Sequence, residues 1–257
     1  MKIGVCGIPD NFKSCCIPEA DFAEISLKDL ADKTDEELKA LIQISKQTGV
    51  PIETANCFFP GEFKLCGKDY SKNTVLEYSK KVLDKAAQLG VELAVIGSGK
   101  SRNIDEGEDK EKCLAQLEEC FITAADQAGK YGIDIVLEPL NKKETNYLNT
   151  VAQAGAVVRK IAHPNLFLLA DTYHMSLEND PYQSLIDFKD ILRHMHIARG
   201  ITRKFPMPDD GFDYAEIKTM TDKAGYHLRI AIEGVPYNDF DSEIVGCVNF
   251  VKDIFGR

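Results

Sequence analysis

With 257 residues, 28.6 kDa and 44% hydrophobic side chains, the chain has the mass of one α/β barrel or of two small domains, and enough apolar material for a sizeable core. A formal charge of −10 and a pI of about 5.1 leave no broad basic surface for a phosphate backbone, so a small-molecule substrate is favoured over nucleic acid. The opening residues MKIGVCGIPD contain no long apolar leader and no run approaches twenty apolar residues, so a cytoplasmic protein without a membrane span is expected.

Short β-rich runs alternate with longer amphipathic segments from one end to the other. KIGVCG (2–7) and FAEIS (22–26) are the first two predicted strands. TDEELKALIQISKQTG (34–49) is predicted helical, with Thr34 and Glu37 as a capping box and Gly49 as a C-terminal stop. PIETAN (51–56) is the third strand, SKNTVLEYSKKVLDKAAQLG (71–90) a helix, LAVIG (93–97) the fourth strand and DKEKCLAQLEECFITAADQAGKYG (109–132) a further helix. IDIVLEP (133–139), LFLLAD (166–171), RHMHI (193–197) and RIAIEG (229–234) complete a set of eight strands. Strict alternation argues for a parallel sheet, and eight repeats argue for its closure into an α/β (β/α)8 TIM barrel. No Pro/Ser-rich linker divides the chain, so one domain is expected over 1–257. An open doubly wound sheet is disfavoured because CGIPDNF, after the first strand, carries no glycine fingerprint, and GSGKS (97–101) lacks the spacing of a phosphate loop. The eight cysteines include no C-x-x-C pair and read as reduced packing residues.

In such a barrel the reacting groups come from the C-terminal ends of the strands, which all open into one mouth. The last four predicted strands each place one ligand type there: Glu138, Asp171, His196 and Glu233. A single carboxylate at a strand end is more often a helix N-cap or a satisfied buried acid. Four at one level would be costly beside apolar strands without a compensating cation. Three oxygen donors and one imidazole suit Mn2+, with Mg2+ or Co2+ as alternatives, better than structural zinc. His194 shares the face of His196, and only its greater distance from the strand end argues against it. His163 and His227 precede strands and read as structural.

The segments LEPLNKKETNYLNT, LADTYHM, HMHIA with RKFPMPDDG downstream, and AIEG resemble the sugar phosphate isomerase/epimerase family, of xylose isomerase-like TIM barrel fold, and within it the ketose 3-epimerases. FAEISL and VIGSGKSR extend the resemblance over nearly the whole chain. It implies that Glu138, Asp171, His196 and Glu233 bind one divalent metal, and that Glu138 and Glu233 form the acid/base pair. It further implies that His174 and Arg203 contact substrate oxygens and that Glu144 orients His174. Arg203 lies seven residues after His196, one more than the pattern, so Arg199 is the alternative. The implied reaction is epimerisation of a free ketose at C3 through a metal-stabilised enediolate. An aldose–ketose or hydroxypyruvate-type isomerase, or a polyol dehydratase, would use the same site, and a homo-oligomer, dimer or tetramer, is expected.

The chain departs from the epimerase pattern in having no Trp; GSGKSR stands near the fourth strand where a bulky aromatic is common. Lys100 and Arg102 there are either solvated charges or readers of a phosphate or carboxylate on the substrate. Phe58, Phe59 and Phe63 in CFFPGEF offer an apolar wall or core packing. An abasic-site endonuclease, which shares this barrel, needs histidines on earlier strands that the chain lacks, and a silent binding module has no need of two opposed carboxylates.

Overall fold

In the computed structural model, which describes residues 1–256, the strand and helix runs close into one parallel barrel. The strands are β1 (Lys2–Gly7), β2 (Phe22–Ser26), β3 (Ile52–Asn56), β4 (Leu93–Ile96), β5 (Asp134–Leu137), β6 (Leu166–Asp171), β7 (Leu192–Ile197) and β8 (Arg229–Ile232). Each pairs with its sequence neighbour, and β8 pairs back onto β1 through Ile3↔Ile230 and Gly4↔Ala231. The connections carry the one-turn helices α1 (Phe12–Cys15) and α2 (Leu27–Leu30), then α3 (Asp35–Thr48), α4 (Lys72–Leu89), α5 (Lys110–Gly129) and α6 (Val151–Ile161). They continue with α7 (Thr172–Glu178), α8 (Gln183–Asp187), α9 (Tyr214–Ala224) and α10 (Phe240–Phe255). No helix among the described residues is long and apolar enough to cross a membrane.

The helix ends follow the sequence signals. Thr34 accepts from the Glu37 N–H while the Glu37 carboxylate accepts from the Thr34 N–H, and Gly49 closes α3 at φ 75°, a left-handed conformation that favours glycine. Helix α5 stops at Gly129, three residues before the expected end, because Lys130–Gly132 turn back to deliver Ile133 toward β5. All eight cysteines are unpaired, six of them buried, in keeping with a packing role.

Two faces of each strand divide the work. Ile3 and Val5, Ala23 and Ile25, Ala94 and Ile96, Ile135 and Leu137, Met195 and Ile197, Ile230 and Ile232 point outward into the main core, beneath the helices. The alternate residues point inward, where Leu93, Val95, Val136 and Leu169 form a separate apolar plug. Gly4 leaves this interior open to the Phe22 ring, which a Cβ at position 4 would strike. One or two steps further along the same inward faces stand Glu24, Glu138, Asp171, His196 and Glu233, so the pleat that packs the plug also fixes the polar layer above it.

Candidate active site

The four strand-end residues meet. One donor atom from each of Glu138, Asp171, His196 and Glu233 lies within 4.8 Å of all the others. Register accounts for this: Asp171 pairs with His196 across β6 and β7, and His196 with Ala231 across β7 and β8, two residues short of Glu233. His196 Nδ1 lies 3.0 Å from Glu138 Oε1 and 3.3 Å from Glu233 Oε2. Asp171 is also the N-cap of α7, its Oδ1 accepting from the Tyr173 N–H at 2.8 Å. Its other oxygen, Oδ2, is buried, accepts no hydrogen bond among the described residues and lies 3.5 Å from His174 Nε2, so capping and an inward donor coexist in one side chain.

Burial, reinforced by the charges of Glu138 and Glu233, pushes the Asp171 carboxyl up to about 7. Burial likewise raises Glu138, against the pull of His196. For Glu233 burial is outweighed by His196 and Arg203, which bring it down to about 2. Three crowded carboxylates, an imidazole and an orphaned carboxylate oxygen make a donor set that fits one divalent cation, which would neutralise the charge that now lifts Asp171.

Glu138 and Glu233 line a cavity of about 440 Å3 together with Phe59, Glu144, His174 and Arg203, and Asp171 and His196 are buried beside them. Arg203 adopts a left-handed φ of 53° in the turn after β7, donates to Glu233 Oε2 at 2.6 Å, lies 3.6 Å from Glu144 and sits over the Tyr173 ring. Arg199 instead lines a separate surface pocket with Met207 and Tyr237, so the geometry favours Arg203 as the inward arginine. Glu144 reaches His174 through Asn141 and not directly. Asn141 stands between them, its side-chain N–H2 donating to Glu144 Oε1 at 3.0 Å, while its backbone N–H donates to His174 Nδ1 at 3.1 Å. Phe59 is buried and stacked on Phe63 with centroids 5.5 Å apart, so it is both packing and cavity wall. His163 pairs with Asp126 in the turn before β6 and His227 is exposed before β8, both away from the cavity.

Sequence reasoning missed Glu24, Asn56 and Asn141. Asn56 donates to Glu233 Oε1 at 2.9 Å, so both oxygens of Glu233 are held. Glu24, fully buried on β2, lies under His196. A signal was available for both: a Glu and an Asn on the inward register of strands otherwise built from apolar and small residues.

This architecture, with the cavity at the strand C-termini, defines a barrel of the enzyme type. The chain belongs to the xylose isomerase-like TIM barrel family, whose model matches residues 19–243. A ketose 3-epimerase of Arthrobacter globiformis is 43% identical over 88 residues, 34% of this chain and 30% of that protein. An L-ribulose 3-epimerase of a Methylomonas species is 34% identical over 122 residues, 47% of this chain and 40% of that one. The alignments thus span well under half of these two relatives' own lengths. The crystal structure of a D-psicose 3-epimerase in the presence of D-fructose superposes over the whole of both chains with a TM-score of 0.84 at 20% identity, a likeness of fold.

The loop after β4 corrects the sequence reading of its two cations. Arg102 is neither solvated nor turned to the cavity: it is fully buried, with Nη1 donating to the Glu138 carbonyl at 2.8 Å and Nη2 to that of Leu148 at 3.4 Å. Burial draws its guanidinium down to about 10, still charged at neutral pH. It ties the β4 loop to the strand end that presents Glu138. Lys100, by contrast, is exposed at the cavity rim. Replacing Arg102 by Ala strands two buried carbonyls and opens a void, an expected loss of about 3 kcal/mol, or roughly 6–12 °C in melting temperature for a chain of this size. Lys100→Ala should leave the melting temperature within about 1 °C; thermal denaturation of the two variants side by side checks both.

Proposed function

We propose that the protein is a divalent-metal-dependent sugar epimerase that inverts C3 of a free ketose, with Glu138 and Glu233 as the groups that take and return the proton. The observation that carries this reading is the convergence of those two glutamates, which line the cavity, with Asp171 and His196 buried beside them. The 3-epimerase relatives support the same reaction class. When bound, the cation polarises the substrate carbonyl and offsets the negative charge that develops on the neighbouring oxygens as the C–H proton leaves.

The chain's own groups supply the rest. His174 is neutral, since burial, with Arg203 nearby, lowers it to about 3. Because its Nδ1 accepts the Asn141 N–H, the ring proton sits on Nε2, a buried atom that makes no hydrogen bond among the described residues and lies 3.5 Å from Asp171 Oδ2. That N–H is free to donate to a substrate oxygen. Asn56 and Arg203 fix the Glu233 carboxylate in one orientation, and Arg203 together with Glu144 faces the sugar from the rim. Phe59 covers an apolar edge of the ring and excludes water there.

Incubation of the Mn2+-loaded protein with a ketose in D2O is expected to place deuterium at C3 together with the C3 epimer. Deuterium at C1 or C2 with an aldose product would identify an isomerase instead, and loss of water without an epimer a dehydratase. Glu138→Gln and Glu233→Gln keep an oxygen donor but cannot cycle a proton, so kcat should fall at least about 100-fold while bound metal, measured by elemental analysis, falls far less.

One observation favours a second reading of the substrate, a ketose with an acidic group. Lys28 in α2, Lys100 after β4 and Lys143 after β5 line this cavity and form no ion pair among the described residues. Under this reading the triple Ala variant raises KM for a ketose phosphate by about tenfold and leaves that of the free ketose unchanged. Equal, unchanged KM values for both sugars would support the free ketose.

A further inference from the structure

We propose that Glu24, on β2 and outside the cavity, is a positioning residue that fixes the tautomer of His196 and so aims its Nδ1 lone pair at the cation cluster. The proposal rests on the metal-dependent reading above. The two ring nitrogens of His196 face different partners. Nδ1 looks toward Glu138 and Glu233 at 3.0 and 3.3 Å, and Nε2 lies 2.8 Å from Glu24 Oε1. A neutral imidazole carries one proton, and whichever nitrogen holds it cannot be a ligand.

Glu24 settles which one does. Its carboxylate is fully buried and, when ionised, can only accept. Four donors surround it. His196 and the Cys6 thiol, at 3.3 Å, address Oε1; His194 Nε2, at 2.7 Å, and the Thr54 hydroxyl address Oε2. With this acceptor beneath it, Nε2 of His196 keeps its hydrogen, so that when a cation takes the place between Nδ1, Glu138 and Glu233 it is Nδ1 that gives up its proton and offers a lone pair. Remove the acceptor, and the carboxylates facing His196 are Glu138 and Glu233, which would draw the proton to Nδ1 and block the ligand position. A carboxylate behind a ligating imidazole is a recurrent way of orienting it.

Cys6, Glu24 and His196 also lie close enough together to hold an ion themselves. That cluster is saturated, because every oxygen of Glu24 already accepts two donors. The unpartnered Asp171 oxygen belongs to the other cluster, on the Nδ1 side. The imidazole therefore divides two layers of the barrel: a hydrogen-bonded layer below and the cation cluster above.

Two measurements on the full chain test this. In long-range 1H–15N spectra of the Mg2+-loaded protein, His196 is expected to show a protonated Nε2 and an unprotonated Nδ1; a proton on Nδ1 would overturn the proposal without any substitution. In calorimetric titrations with Mn2+, Glu24→Leu should weaken binding by about 10- to 100-fold. Thr54→Val, which removes one donor to Glu24 but neither imidazole, should stay within about twofold of wild type. Wild-type affinity in Glu24→Leu would also overturn the proposal. Absence of binding in the wild type itself would overturn the metal-dependent reading and this proposal with it, whereas a proton on Nδ1 or undiminished affinity in Glu24→Leu overturns this proposal alone.

Discussion

Inward-facing charge in a closed barrel must be answered by other charge. An unpaired buried carboxylate costs several kcal/mol, and a domain's net stability is only about 5–15 kcal/mol, so three uncompensated acids at one level would consume it. Glu138, Asp171 and Glu233 escape that fate by sharing His196, by the grip of Arg203 and Asn56 on Glu233, and by the α7 backbone N–H that takes one oxygen of Asp171. What remains uncompensated is one carboxylate oxygen and the burial which, with the charges of Glu138 and Glu233, raises the Asp171 carboxyl to about 7. A divalent cation, as proposed, would answer that imbalance.

The same constraint propagates outward and downward. Outward, Arg102 clamps the carbonyl of Glu138 from behind, so the loop after β4 is part of the frame that presents the acid and not a part of the surface. Gly97, just after β4, lies against the Glu138 carboxylate, where a Cβ would displace it. Downward, Glu24 gathers two imidazoles, a hydroxyl and a thiol, and below them Phe22, Leu93, Val95, Val136 and Leu169 seal the barrel. Each layer is satisfied by its neighbours, which leaves rigid groups at the one face that opens to solvent.

The fold was legible because each strand and helix carries its own period and stop signal: Thr34 and Glu37 at one end of α3, Gly49 at the other, and apolar runs of strand length between helices. The four strand-end donors were legible for a related reason, since polar residues at the end of an apolar run have few bland explanations when they recur four times. Side-chain direction was less accessible. Arg102 looked like a surface cation because two residues earlier Lys100 is one, and nothing in GSGKSR tells which side chain turns inward. Asn141, which links Glu144 to His174, went unseen because its backbone N–H is invisible to any motif. Glu24 was passed over because FAEIS reads as an ordinary strand until the barrel closes and places that residue beneath β7.

The account stands on the cluster of Glu138, Asp171, His196 and Glu233 holding one cation through the oxygen that Asp171 leaves free. Calorimetric titration of the metal-stripped protein with Mn2+, beside Asp171→Asn, tests it most directly, because Asn keeps the cap on α7 while surrendering the negative charge. One cation per chain in the wild type, with affinity at least about tenfold weaker in the variant, is the expected result. No binding, or binding that Asp171→Asn leaves undiminished, would contradict it.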